Sequence, residues 1–227
     1  MPQQINDRQQ NLKLNLYESV IIIGCGGIGS WASINLALSG CTAIVHLIDD
    51  DTVELTNLNR TPFRLCDVGN YKVDSLKYMI LERRADIIIN NYQQRTNPEL
   101  KQKILETIHD IKNCAVIDCR DDAISDFYDL DCPYYKVGYD GFSITFDNNP
   151  RETPIWGRAN GYTFTPSYIC PAQMAACLVV NDLLTRDRDK DMQGAAEQVY
   201  VTFDIRNLLT AVTKLEEQPN GNETTNT

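Results

Sequence analysis

The sequence predicts an α/β fold in which helices cover both faces of a mostly parallel β-sheet. Through the first half of the chain, short apolar segments of strand length alternate with longer segments of helical periodicity. The short segments are apolar throughout, as expected of strands buried on both faces. In the second half, two further apolar segments flank Asp140-Gly141, a dipeptide suited to a tight hairpin turn. We therefore expect antiparallel strands to extend the sheet in the C-terminal half.

The elements alternate in the order that a parallel sheet requires. We predict strands at 19–23, 43–49, 86–89 and 115–119, and helices at 29–39, 69–84 and 98–111. The hairpin follows within 134–146, then a helix from Pro171 to about Leu184, and a last strand at 199–205.

A chain of 227 residues without an internal linker is expected to form one domain, here assigned to residues 1–213. Residues 147–168 have no clear period and are predicted to form a long loop, a candidate crossover lid. The polar segment 214–227 is predicted to be a disordered tail.

Composition excludes several classes of protein. A formal net charge of −10 argues against a general nucleic-acid partner, because phosphate binding needs clustered Lys and Arg. No apolar segment approaches the roughly 20 residues that span a bilayer, and the N-terminal segment MPQQINDRQQ is too polar for a secretory signal. The eight cysteines include no C-x-x-C pair, which favours reduced thiols over a zinc site. We expect a cytoplasmic protein without a membrane partner.

A glycine-rich turn, GCGGIG at residues 24–29, follows the first predicted strand and opens the first predicted helix. Such a turn brings backbone N–H groups and a helix N-terminus against phosphate. Asp49 lies about 20 residues beyond the turn, the spacing expected of an acidic residue that binds ribose hydroxyls. These features predict a Rossmann-like domain, and by themselves they fit an NAD(P)-dependent oxidoreductase as well as an ATP enzyme. The glycines expected to bind the nucleotide are Gly24, Gly26, Gly27 and Gly29.

Three further segments resemble motifs of the ThiF/MoeB/HesA family, which includes the adenylation domains of ubiquitin-activating enzymes. Residues 47–60, LIDDDTVELTNLNR, resemble its D-x-D-x-V-x-x-x-N-L-x-R segment. Val68-Gly69 with Lys72 resembles V-G-x-x-K, and residues 116–121, VIDCRD, resemble the V-x-D-x-x-D strand end. The likeness spans residues 8–205, with motifs dense up to residue 122. It implies a ThiF-type adenylation domain that uses ATP and Mg²⁺.

The resemblance gives the matching residues roles at the nucleotide. Asp49 is implied to hold the ribose hydroxyls. The residues implied to contact the triphosphate are Asn57, Arg60 and Lys72. Cations are needed there, because a carboxylate that attacks the α-phosphate approaches a polyanion, and pyrophosphate departs with negative charge. Asp121 matches the family's magnesium-linked aspartate, and a hard oxygen ligand suits Mg²⁺.

Asp118, three residues before Asp121, is a candidate helper. With the glycines, the implied cofactor-binding set is Asp49, Asp51, Asn57, Arg60, Lys72 and Asp118. The implied catalytic set is Arg8, Arg60, Lys72 and Asp121.

Arg8 belongs to Asp7-Arg8-Gln9, which resembles the family's R-Q element, whose arginine reaches across a dimer interface. We therefore expect a homodimer in which Arg8 completes the neighbouring site, although a surface arginine is the alternative. Cys170, next to an apolar helix, is either a nucleophile or a simple buried residue.

The partner implied by the resemblance is a small ubiquitin-like or sulfur-carrier-like protein or peptide with a free C-terminal carboxylate. The leading hypothesis is that this carboxylate attacks the α-phosphorus of ATP and yields an acyl-adenylate and pyrophosphate. Two alternatives are an NAD(P)-dependent oxidoreductase and a non-catalytic scaffold subunit of a heterodimeric activating enzyme. Such a scaffold need not keep Arg60, Lys72 and Asp121 together.

Overall fold

Seven strands form one mixed sheet in the computed structural model, which describes residues 6–121, 125–148, 166–187 and 200–207. The strand order is β3-β2-β1-β4-β5-β6-β7; the first five strands are parallel, and β6 and β7 extend the sheet in antiparallel pairing. The strands are β1 (Tyr17–Ile23), β2 (Thr42–Ile48), β3 (Ile88–Tyr92), β4 (Cys114–Asp118), β5 (Tyr134–Asp140), β6 (Ser143–Asp147) and β7 (Tyr200–Asp204).

Helices cover both faces of this sheet, as predicted. The four α-helices are α1 (Gly27–Ser39), α2 (Lys72–Leu81), α3 (Pro98–Leu105) and α4 (Ile169–Thr185). Apolar side chains of α1, α2 and α4 pack on one face, in a core that includes Val20, Ile22 and Val45. On the opposite face, α3 and a short 3-10 helix at Asp126–Asp129 pack over Ile21 and Val116. The predicted Rossmann-like α/β fold is therefore confirmed.

Two predicted boundaries differ from the structure for identifiable reasons. The helix predicted from residue 69 begins at Lys72, because Gly69 has a φ of 90°, a left-handed conformation that a helix does not contain. The strand predicted at 86–89 is displaced to Ile88–Tyr92. Asp86 pairs with Arg84 in the preceding turn, with 2.8 Å between its Oδ1 and the arginine Nε, and β3 continues through two asparagines in register with β2.

Other predicted boundaries lie partly beyond the part of the chain described. Most of the long loop predicted at 147–168 and the whole tail predicted at 214–227 fall outside it. The domain boundary at residue 213 also stays a prediction. Within the described residues, no helix is both long enough and apolar enough to cross a bilayer.

The strand order opens a crevice at the carboxyl edge of the sheet. From β1 the chain proceeds to β2 and β3 on one side, then returns to place β4 on the other side of β1. The segments that follow β1 and β4 therefore diverge, and ligands of open α/β sheets bind at this reversal. Because residues 20–23 of β1 are fully or almost fully buried, the floor of the crevice is a rigid part of the core.

One polar side chain is buried in the sheet away from this crevice. His46, on β2, has no solvent exposure, and its Nδ1 lies 3.3 Å from the hydroxyl of Tyr92. Its Nε2 has no hydrogen-bond partner among the described residues. Burial without an anionic partner disfavours the imidazolium and lowers the pKa of His46 to about 4.

We predict that this histidine makes the fold sensitive to acid. Its stability contribution is complete above the unfolded-state pKa of about 6.5 and declines as pH falls towards the folded-state value. Between pH 7.5 and 4.5, its share of the lost unfolding free energy should be about 2 to 3 kcal/mol.

Urea denaturation at the two pH values measures this loss. His46→Gln should lose less stability between them than the wild type, whereas His109→Gln, at a mostly exposed histidine, should lose as much as the wild type. Equal pH dependence in the wild type and His46→Gln would contradict the prediction.

Candidate active site

A cleft of about 460 Å³ lies at the carboxyl edge of the sheet. Its walls come from the segments after β1, β2, β3 and β4, from the end of β5 and from Ser167 just before α4. Twelve positions were predicted from the sequence to bind or act on a nucleotide, and eight of them line this cleft: Gly24, Gly26, Gly27, Asp49, Asp51, Arg60, Lys72 and Asp121. The four that do not line it are Arg8, Gly29, Asn57 and Asp118.

The glycine turn requires glycine for two different reasons. Gly24 has a φ of 85°, in the left-handed region that side chains disfavour. Gly29 lies where α1 packs against the turn, and a Cβ there would be 1.9 Å from the carbonyl oxygen of Gly24. Gly27, the first residue of α1, is covered by Tyr139, whose hydroxyl would be 2.4 Å from an added Cβ. Gly29 therefore shapes the turn, while Gly24 and Gly27 face the cleft.

The Asp49 carboxylate connects the end of β2 to the glycine turn. It accepts hydrogen bonds from the backbone N–H of Cys25 at 2.6 Å and of Asp51 at 2.8 Å. Burial raises the pKa of Asp49, while nearby Lys72 and these N–H groups act in the opposite direction. A carboxylate has about four lone-pair sites, so these two bonds leave acceptor capacity for a ligand.

Lys72 is a buried cation beside this carboxylate. It begins α2, and its Nζ lies 2.6 Å from Asp51 Oδ2 and 3.9 Å from Asp49 Oδ1. Asp50 pairs with Arg95 at 3.0 Å on the next segment of the cleft wall. The three consecutive aspartates therefore each have a positive or N–H partner in the protein itself.

Arg60 and Asp121 lie at the β5 side of the cleft, with Tyr139 between them. The backbone carbonyl of Arg60 accepts a 3.0 Å hydrogen bond from Trp31 Nε1, and its guanidinium donates to the carbonyl of Thr56 at 2.5 Å. Burial raises the pKa of Tyr139, and the neighbouring Arg60 partly offsets this effect. Asp121 is exposed at the cleft and close enough to Tyr139 to raise the same pKa.

Asn57 and Asp118 support the cleft from behind it. Asn57 is 8% exposed and its Oδ1 accepts the backbone N–H of Glu54 at 3.1 Å, so it closes the short helical turn that precedes Arg60. Asp118 is fully buried at the end of β4, where it pairs with Arg120 and Lys136. Among the described residues, both asparagine and aspartate hold neighbouring segments in place.

Arg8 lies in a short 3-10 helix at Asp7–Leu12 and is exposed. The adjacent Gln9 anchors this helix by donating its side-chain N–H to the carbonyl of Ser39. Cys170 is the second residue of α4 and is exposed rather than buried. All eight cysteines are free thiols.

The structure adds cleft residues that the sequence motifs did not indicate. Tyr139 comes from the strand before the hairpin, where alternation predicts a strand but no function. Arg120 lies between two motif aspartates, and Arg95 follows β3 in a segment without a recognisable pattern. The basic side chain at position 120, directly after a strand end, was the one available signal.

Comparison with known proteins relates the cleft to a family. Residues 2–132 match the ThiF family. Over 104 residues the chain is 32% identical to the adenylyltransferase and sulfurtransferase UBA4 of Scheffersomyces stipitis, covering 45% of this chain and 22% of that protein. Over 74 residues it is 39% identical to ubiquitin-like modifier-activating enzyme 5 of Arabidopsis thaliana, covering 33% and 17%. The alignments span less than a quarter of these relatives' own length.

Solved structures share the fold at lower identity. Escherichia coli MccB with ATP superposes with a TM-score of 0.58 at 21% identity, covering 88% of this chain and 66% of MccB. A structure of PaaA superposes with a TM-score of 0.57, also at 21% identity, covering 83% of this chain and 64% of PaaA.

We predict that the two helical glycines of the turn differ in how well they tolerate a methyl group. Gly29→Ala should lower the free energy of unfolding by about 2 kcal/mol or more, because its Cβ meets a backbone oxygen. Gly27→Ala should lose less, since the Tyr139 ring can move aside. Alanine otherwise favours a helix over glycine by about 1 kcal/mol, so a loss reports the clash. Chemical denaturation of both variants measures the difference, and equal losses would contradict the prediction.

Proposed function

This chain belongs to the ThiF family, and from that premise we propose that it is an ATP-dependent adenylyltransferase. Its proposed substrate is the C-terminal carboxylate of a small ubiquitin-like or sulfur-carrier-like protein or peptide. One observation carries the proposal: a single cleft is lined by the glycine turn, the Asp49 carboxylate, and the group formed by Arg60, Lys72 and Asp121.

The proposed nucleotide position follows from the donors and acceptors of the cleft. The N-terminus of α1 and the N–H groups of the glycine turn favour phosphate oxygens. The remaining acceptor capacity of Asp49 suits two ribose hydroxyls. The crystallisation of MccB with ATP supports a nucleotide role for this fold, although the two chains share 21% identity.

Lys72 and Arg60 supply the positive charge that the proposed reaction needs. Lys72 is paired with Asp51 at 2.6 Å, so its ammonium group is already fixed at the cleft. Arg60 is held by the Thr56 and Asn59 contacts of its guanidinium. Preorganised cations of this kind stabilise charge that develops during phosphoryl chemistry without further reorganisation.

The donor set also supports a magnesium ion at Asp121. Its carboxylate offers hard oxygen ligands at the cleft, and Mg²⁺ binds through one or two carboxylates together with phosphate oxygens. When bound, the ion would neutralise part of the phosphate charge. Asp49, Asp50 and Asp51 form a second cluster, with ligand atoms within 4.8 Å of one another, but lysine, arginine and N–H partners already engage them.

In the proposed step, a carboxylate oxygen of the partner attacks the α-phosphorus of ATP. The new bond is an acyl phosphate ester, the bond to the β-phosphate oxygen breaks, and pyrophosphate leaves with that electron pair. The chain itself orients the two reactants and offsets their charges. Tyr139 covers the glycine turn beside Arg60, which places a fixed hydroxyl next to the phosphate end of the cleft.

We predict that Asp121→Ala loses most turnover while it still binds nucleotide, because this carboxylate is proposed to act mainly on the charge that develops in the transition state. The assay is ATP–pyrophosphate exchange with a synthetic peptide that ends in Gly-Gly and a free carboxylate. Asp131→Ala is the matched control, since Asp131 is exposed and does not line the cleft. Calorimetry with ATP and Mg²⁺ measures binding separately.

The same peptide with an amidated C-terminus tests the nucleophile. Exchange that continues with the amide, or normal exchange by Asp121→Ala, would contradict the proposed step.

We further propose a homodimer in which Arg8 of each subunit serves the site of the other. Its exposure on an anchored N-terminal helix leaves it accessible to a second copy. Mixing Arg8→Ala with Asp121→Ala subunits should then restore exchange activity to about a quarter of the wild-type level, because about half of the dimers are mixed and hold one intact site. Sedimentation reports the assembly. A monomer, or no recovery after demonstrated subunit exchange, would refute this arrangement.

A further inference from the structure

A lysine without solvent exposure lies directly behind the cleft. Lys136, on β5, has a side chain that is 0% exposed, as does Asp118 on the adjacent strand β4. In the sheet register, Lys136 is opposite Asp118 on one side and opposite Asp147 of β6 on the other. A buried charge is costly unless it is paired and hydrogen-bonded, so this row of alternating charges needs a physical reason.

The lysine is bound to the segment that leads from β4 into the cleft. Its Nζ lies 3.1 Å from Asp118 Oδ1 and donates a 2.7 Å hydrogen bond to the backbone carbonyl of Arg120. The second oxygen of Asp118 accepts the hydroxyl of Tyr134 at 2.7 Å. Lys136 therefore fixes both a side chain and a main-chain atom of this segment.

The remaining contacts of the segment converge on the same carboxylate. The Arg120 backbone N–H donates to Asp118 Oδ1 at 3.1 Å, and its guanidinium donates to both oxygens of Asp118 at 3.1 and 3.0 Å. The Cys119 N–H donates to the carbonyl of Ile23 at 2.8 Å. The path of residues 118–120 is thus set by the protein interior immediately before the chain reaches Asp121.

We propose that Lys136 is a positioning residue of the active site. By binding the Arg120 carbonyl and the carboxylate that orients the Arg120 guanidinium, it holds residues 118–121 so that Arg120 and Asp121 face the cleft. The proposal deepens the adenylyltransferase function and rests on it only for the consequence in catalysis. The positioning itself can be measured without any substrate.

The choice of variants follows from the charges around the lysine. Lys136→Met alone leaves the buried Asp147 opposite a neutral side chain and risks misfolding. The double variant Lys136→Met/Asp147→Asn removes one charge of each sign and leaves the Asp118–Arg120 pair in place. Only the hydrogen bond to the Arg120 carbonyl is then lost from the segment itself.

Lys101 offers a matched control outside the cleft. Its Nζ also binds one carboxylate and one backbone carbonyl, those of Asp129 and Asp126. Lys101→Met therefore removes the same kind of contact from a different surface. It should leave both the segment and the kinetics as in the wild type.

The experiment combines amide hydrogen exchange of residues 118–121 with ATP–pyrophosphate exchange kinetics using the Gly-Gly peptide. In the double variant we expect amide exchange at Cys119 and Arg120 to accelerate by about tenfold or more. We expect kcat to fall by about tenfold while KM for ATP changes less than about threefold. Unchanged amide protection would overturn the proposal, and so would faster amide exchange with wild-type kcat.

The two levels of the account fail separately. If the wild-type protein neither binds ATP nor supports pyrophosphate exchange, the proposed function fails. Amide exchange in the double variant and in Lys101→Met still decides whether Lys136 holds the segment.

Discussion

The hydrogen bond from the Cys25 amide to the Asp49 carboxylate is the constraint on which the cleft depends. At 2.6 Å it joins the glycine turn after β1 to the end of β2. Two backbone bonds extend this connection, one from Gly24 N–H to the carbonyl of Ile48 and one from Asp49 N–H to the carbonyl of Tyr92. The carboxyl ends of three neighbouring strands are thus fixed relative to one another, so the cleft has its shape before any ligand binds.

Charge pairing explains how a chain with a net charge of −10 can offer a polyanion a site. The cleft cations Lys72, Arg95 and Arg120 each lie against an aspartate of the same cleft or its supporting layer. These pairs keep long basic side chains ordered, which reduces the conformational entropy that a ligand would otherwise have to remove. A triphosphate with its metal ion competes for the same cations and adds no further ordering cost to them.

The part of the site nearest the glycine turn could be predicted from sequence because its constraints are local. The glycines, Asp49 and Lys72 lie in segments whose spacing follows from the strand-turn-helix geometry and from motifs. Gly29 was correctly expected to matter, but its role is close packing against Gly24, which only the three-dimensional contact reveals. Asp118 has the spacing of a ligand residue, yet burial opposite Lys136 makes it part of the supporting layer.

Features that depend on distant pairing were not predictable in the same way. Tyr139 reaches the glycine turn only because β5 is placed beside β4, and no local pattern encodes that neighbour. The polar Asn90 and Asn91 concealed the true extent of β3, whose register is set by β2. The central claim, that this crevice is built for ATP, is tested most directly by calorimetry on the wild-type protein with ATP and Mg²⁺ and, separately, with NAD⁺. The account predicts saturable binding of ATP and none of NAD⁺ at the same concentrations, whereas tighter binding of NAD⁺ than of ATP would contradict it.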